Sequence, residues 1–153
     1  MKTVSGNLIT LAQDGQFDVI IHGCNCFVTM GAGIAKGIRL TFPAAWAADQ
    51  ATEVGDRDKL GTITWADVPT EHGVLHVINA YTQYHYKGPG PKVDYEALRS
   101  CFRAVKTTFS GLRIGYPMIG AGLAGGDWSI ISAIISEELD GEDHTFVVFD
   151  PNA

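Results

Sequence analysis

The chain reads as an α/β protein, a three-layer α/β/α sandwich with a central sheet between helical layers. Three observations predict it. Apolar, strand-like runs alternate with stretches of helical periodicity along the whole chain. The run Asp18-Val19-Ile20-Ile21 is apolar without alternation, as in a strand covered on both faces. Two glycine-rich loops each stand between a strand and a helix, and ligands of such sheets gather outside the carboxyl ends of the strands.

Met1 to Ser5 is a short first strand, and Gly6-Asn7 turns the chain out of it. Phe17 to Cys24 forms the second strand. Gly31 to Phe42 is a helix with Ile34, Ile38 and Phe42 on one face. Pro43 ends that helix, and its fixed φ suits the start of another helical stretch through Trp46 to Thr52. Thr62 to Val68 and Val74 to Tyr81 are two strands joined by a loop containing Gly73. Tyr81 to Lys92 is a polar, aromatic, Gly/Pro-rich loop. Asp94 caps a helix whose buried stripe is Leu98, Phe102, Val105 and Phe109. Leu112 to Met118 is a strand, Ile119 to Gly126 the second glycine-rich loop, Asp127 to Leu139 a helix, and Thr145 to Phe149 a final strand.

A length of 153 residues predicts one domain spanning 1–153. A domain of that size buries about two-thirds of the surface its unfolded chain exposes, so its core forms without staples. Composition is ordinary for a globular protein, 46% hydrophobic and 18% charged. The net charge of −6 argues against broad capture of nucleic acid, which relies on many Lys/Arg–phosphate contacts. One small anion held by backbone amides remains compatible with it. No apolar stretch reaches the length of a membrane span, and Met1 to Thr10 lacks the basic-then-apolar pattern of a secretory signal. Three cysteines, an odd number, fit a reducing interior better than a disulfide framework. The expectation is a cytoplasmic protein with no membrane partner.

The chemistry-bearing residues cluster around the two glycine loops. Met30-Gly31-Ala32-Gly33 and Gly120-Ala121-Gly122-Leu123-Ala124-Gly125-Gly126 can each present backbone N–H groups to phosphate oxygens. Neither is a P-loop, because no Gly-Lys-Ser/Thr follows, and Gly31-Ala32-Gly33 lacks the third glycine of a dinucleotide fingerprint. Taken singly, either loop is simply a tight turn. Two at equivalent junctions point to a diphosphate cradle. His22 can carry protons or attack phosphorus, and it equally suits a satisfied structural role. Cys24 and Cys26 lack a second ligand pair and read as small buried thiols, so neither metal nor cofactor is expected. Asn25 suits a sugar hydroxyl or a turn. Phe149 suits core packing, Trp128 anchors its helix, and Asp127 is an N-cap or a carboxylate beside the phosphate loop. The Tyr81 to Lys92 loop is a lid or a solvated surface.

Taken in order, the motifs resemble those of the macrodomain family, the ADP-ribose-binding α/β/α module, nearly from end to end, and this resemblance implies that the central sheet is mixed. Gly6-Asn7-Leu8-Ile9 stands where the family has Gly-Asp-Ile/Leu-Thr. Cys24-Asn25 with Met30-Gly31-Ala32-Gly33-Ile34-Ala35 matches its Asn and glycine-rich helix start. Pro117-Met118-Ile119-Gly120-Ala121-Gly122-Leu123 matches its second phosphate loop, and Val148-Phe149-Asp150 its last strand. The resemblance implies that Asn7 with Leu8 recognises adenine, that Phe149 stacks on or edges the ring, and that Asn25 contacts the distal ribose. It also implies that Gly31, Ala32, Gly33, Ile34 and Ala35, with Gly120, Ala121, Gly122, Leu123 and Ala124, hold the diphosphate. Within the family, Ile21-His22-x-Cys24-Asn25-Cys26 is similar to the branch that hydrolyses ADP-ribose-1''-phosphate to ADP-ribose and phosphate. There the histidine matching His22 is implicated in catalysis, with Asn25 orienting the ribose. A related branch that removes ADP-ribose from glutamate uses a Lys and a loop Asp; Ala80 and Ala124 stand near those places here. The implied partners are ADP-ribose or ADP-ribose-1''-phosphate, with an ADP-ribosylated macromolecule as a further one. Removal of ADP-ribose from protein or nucleic acid, and non-catalytic ADP-ribose reading, are the alternatives.

Overall fold

The computed structural model describes residues 1–153. In chain order the elements are β1 (Lys2–Gly6), α1 (Leu8–Gln13), β2 (Val19–Cys24), α2 (Gly33–Thr41), α3 (Pro43–Gln50), a single 3-10 turn (Arg57–Lys59), β3 (Ile63–Thr70), β4 (Gly73–Tyr81), α4 (Tyr95–Phe109), β5 (Arg113–Tyr116), α5 (Trp128–Glu138) and β6 (Asp143–Phe149). The strands make one sheet in the order β1-β6-β5-β2-β4-β3. Five of them run parallel, and only β3 is antiparallel, as the hairpin partner of β4. The sheet is therefore mixed.

Each face of the sheet carries its own core. On one side Val19, Ile21, Ile78 and Ile114 pack under α4 and α5, which supply Leu98, Phe102, Val105, Ile131 and Ile135. On the other, Ile20, Val77 and Val147 pack under α1, α2 and α3, with Leu8, Ile38 and Ala45. β2 lies between the two layers, which is why its side chains are apolar on both faces. Asp94 caps α4 as expected, its carboxylate accepting from the Ala97 N–H at 3.0 Å. Pro43 opens α3, where no partner for its missing N–H is needed.

One α-helix, besides the short 3-10 turn, is additional to the sequence reading. Gly6-Asn7 does turn the chain, but it turns it into α1. Asn7 is the cap of that helix, its Oδ1 accepting from the Thr10 N–H at 3.1 Å. No helix is long and apolar enough to cross a membrane.

Because β1, β6, β5, β2 and β4 point the same way, the segments that follow them open on one edge of the sheet. The two glycine loops and the Tyr81 to Lys92 loop are all on that edge.

Candidate functional site

A cavity of about 650 Å³ lies at this edge. Its wall is built from the segments after β2, β4, β5 and β6. The β2 side gives Gly23, Cys24, Asn25, Thr29, Met30, Gly31, Ala32 and Ile34; the β5 side gives Pro117 to Gly120 and Gly122 to Ala124. Gln83, Tyr86 and Lys92 close it from the β4 side, Phe149 from the end of β6, and Asp49 from α3.

The first loop holds a strained shape. Val28 and Met30 have φ of 59° and 40°, a left-handed conformation that a β-branched residue rarely takes. Hydrogen bonds fix it there. Asn25 Oδ1 accepts from the Phe27 N–H at 2.8 Å, and Asn25 Nδ2 donates to Thr29 Oγ1 at 2.7 Å. The result is a path that enters α2 without a side-chain cap and without an acidic residue in its first turn. The N–H groups there point outward and favour an anion.

The second loop depends on glycine. Gly120 and Gly125 have φ of 74° and 71°. The Gly126 N–H donates to the Gly120 carbonyl at 2.7 Å, closing the loop on itself. Leu123 reaches across to the first loop, its Cδ1 lying 3.5 Å from where a Cβ on Gly33 would stand. The two loops thus face each other over the cavity. The segment between Tyr81 and Lys92 is bonded to both: the Cys26 N–H donates to the Tyr84 carbonyl at 2.9 Å, and the Lys92 N–H donates to the Ala124 carbonyl at 2.6 Å.

The residues singled out from the sequence divide into two sets. Asn25, Gly31, Ala32, Ile34, Gly120, Gly122, Leu123, Ala124 and Phe149 come together on the wall. Phe149 is 69% exposed, so it is not a core residue despite its place in a strand. Gly33, Ala35 and Ala121 are in the same loops but do not border the cavity, and Asn7 and Leu8 do not border it either. Leu8 is buried in the core beneath α1, and the Asn7 side chain is occupied by its cap.

His22 also stands apart. It is fully buried in β2, two residues short of the strand's end, and absent from the cavity wall. Its Nε2 lies 2.6 Å from Asn79 Oδ1. Burial pushes the imidazole down to about 4, with the Asn79 bond opposing, so it is neutral at pH 7. A reactive rim histidine is therefore not what this position provides. The reason is strand length: β2 continues to Cys24, which carries the reactive edge past the histidine. Cys24, Cys26 and Cys101 are free and buried, and burial pushes their thiols up, Cys101 to about 12. Asp127 caps α5, accepting from the Ser129 N–H and hydroxyl, which hold its carboxyl below the usual range. Trp128 packs against Phe146, with ring centroids 4.5 Å apart.

Sequence reasoning missed Asp49. It is the one ionisable residue of an alanine-rich helix, and a helical Asp ordinarily faces solvent. Here it is 1% exposed and borders the cavity. Burial raises its carboxyl, while the Tyr81 hydroxyl and the Lys59 charge oppose that rise.

No protein-family model matches the chain. An uncharacterized 17.5 kDa protein from the tk-vs intergenic region of Enterobacteria phage T4 is 35% identical over 145 residues, covering 88% of this chain and 87% of that one. Among solved structures, the macrodomain of Mycobacterium tuberculosis DarG is similar with a TM-score of 0.71 and 20% identity, over 97% of both chains. Thermosipho africanus DarTG in complex with ADP-ribose is similar with a TM-score of 0.70 and 16% identity, over 92% of this chain and 40% of that one. The identity to the phage protein extends over nearly the full length of both. The chain has the macrodomain fold and belongs to the family of the phage T4 17.5 kDa protein.

Proposed function

We propose that the cavity binds ADP-ribose. The observation that carries this reading is the pair of amide-lined loops facing each other across about 650 Å³, with an exposed Phe149 at one end. A space of that size suits a nucleotide-sized ligand. The diphosphate would lie between the loops, the adenine against Phe149, and the distal ribose toward Asn25. The ADP-ribose held by Thermosipho africanus DarTG supports the same assignment. Calorimetric titration with ADP-ribose tests it directly, and absence of binding overturns it. Replacing Phe149 with Ala should weaken ADP-ribose about tenfold, since stacking of a base on an aromatic ring is worth about 1–3 kcal/mol. The melting temperature should stay unchanged, because so exposed a ring contributes little to the core.

The reaction we assign to this site is hydrolysis of ADP-ribose-1''-phosphate to ADP-ribose and phosphate. It is supported by the likeness of Ile21 to Cys26 to that branch, and by loops whose amides can stabilise charge developing on a phosphoryl group. His22 does not border the cavity, so water is the attacking group in this scheme and the imidazole supports the strand beneath it. Phosphate release from ADP-ribose-1''-phosphate is the test. Release of free ADP-ribose from a modified protein or nucleic acid, with no phosphate release, would replace this reaction with the other hydrolase reading. Binding with neither turnover would leave a reader of ADP-ribose.

A further inference from the structure

Asp49 ends a line of buried polar side chains that runs through the layer between the sheet and α3. The protons along this line can be assigned from chemistry alone. Asp49 Oδ1 lies 2.7 Å from the Tyr81 hydroxyl, and an ionised carboxylate can only accept, so Tyr81 donates. That uses the phenol's one proton. The Thr64 hydroxyl, 3.0 Å from the Tyr81 oxygen, must then donate to it. Thr64 Oγ1 in turn accepts from Asn79 Nδ2 at 3.1 Å, and the other Nδ2 proton goes to the Ala45 carbonyl at 3.0 Å. The Asn79 amide being so oriented, its Oδ1 accepts from His22 Nε2 at 2.6 Å, which fixes the imidazole with its proton on Nε2. Every donor in the line points toward Asp49.

The line is complete except at its last atom. Asp49 Oδ2 is buried and has no hydrogen-bond partner. The nearest cationic group to consider is Lys59, itself 7% exposed, but it donates to Thr52 Oγ1 at 2.9 Å and sits over the Tyr81 ring at 5.3 Å. It forms no ion pair with Asp49. A buried carboxylate oxygen without a partner is costly, and such an atom is normally satisfied by protein or water. This one belongs to a residue on the wall of the ligand cavity, on the β4 side of the sheet and away from Phe149 on β6.

We infer that Asp49 reads a hydroxyl group of the ligand, its Oδ2 accepting a hydrogen bond from the sugar at the end of the cavity opposite Phe149. The inference rests on the ADP-ribose reading of the cavity. It adds to that reading a residue, an atom and a chemical requirement. To an ionised Asp49 the ligand must present a donor, which a sugar hydroxyl supplies and a phosphate oxygen does not. Burial raises the Asp49 carboxyl in the free protein, against the opposing Tyr81 hydroxyl and Lys59 charge. The directed line from His22 holds the carboxylate in one orientation before the ligand arrives.

Paired titrations with ADP-ribose and with ADP, which lacks the distal sugar, test this. Wild type should bind ADP-ribose at least about tenfold more tightly than ADP. Asp49→Asn exchanges a charge-assisted hydrogen bond for a neutral one, and such bonds differ about twofold in strength. It should weaken ADP-ribose about tenfold and leave ADP within about twofold, so that the preference collapses. An equal loss for both ligands, or no loss for ADP-ribose, overturns the inference. The wild-type preference is a test independent of any variant's folding: ADP-ribose bound no better than ADP also overturns it. If wild type binds neither ligand, it is the ADP-ribose reading itself that fails.

Discussion

Between pH 6.5 and pH 4 the protein is expected to lose about 3 kcal/mol of stability through His22 alone. The folded protein holds this imidazole neutral down to about 4, whereas in the unfolded chain it gains its proton near 6.5. Over that window the unfolded state binds more protons, so stability falls as pH falls. The contribution is fully present above 6.5 and is spent once the pH passes below 4. Asp49 acts in the opposite sense, because its carboxyl is raised on folding and takes up a proton more readily there. Asp18 is held below its usual range by Arg113 and adds its own loss only beneath 3.8. Comparison with His22→Gln isolates the imidazole, since an amide can still donate to Asn79 Oδ1. Thermal melts from pH 7 to pH 4 should show wild type losing about 3 kcal/mol more than the variant. Parallel pH profiles would mean that the imidazole is not held neutral.

The second large effect is expected at Gly120. Its φ of +74° is costly for any residue with a Cβ, by about 1–2 kcal/mol. An added Cβ would also lie 2.7 Å from Val93 Cγ2 and 3.2 Å from Ile131 Cδ1. Overpacking of this kind costs about 1–3 kcal/mol. Gly120→Ala should therefore lose about 3 kcal/mol, a fall in Tm of about 10 °C for a chain of this size. The loop must move to make room, so ADP-ribose affinity should drop at least about tenfold with it. Gly122→Ala is the matched control. Its Cβ would meet nothing within 4 Å and its φ is not positive, so its melt should match wild type within about 2 °C. Equal melting of the two variants would show that the loop is not held as described.

The fold was legible because its signals are local. The unbroken apolar run of β2, the Asp94 cap with its stripe through Phe109, and Pro43 at the head of α3 each state their element within a few residues. α1 was not legible. Six residues are too few to show a period, and the Asn7 that starts the helix reads equally well as a turn. The glycine loops were legible for the same local reason, and the wall they build contains most of the residues they suggested. His22, which suited a reactive or a structural role, lies off the cavity wall, and Asp49, which the sequence did not single out, lies on it, both for one physical reason. Whether a polar side chain reaches the cavity depends on where its element stops and on what packs above it. β2 runs on past His22, and α3 turns Asp49 inward against Tyr81. Neither fact is carried by neighbours in the chain.

The strap between Tyr81 and Lys92, bonded to Cys26 at one end and to Ala124 at the other, couples the opening of the two glycine loops. A loop that loosened alone would have to break the strap or carry it along. Opening of one loop is therefore expected to move the other through the strap. A ligand that grips only the first loop should slow amide hydrogen exchange at Lys92, whose N–H is bonded to the second loop, as well as at Cys26.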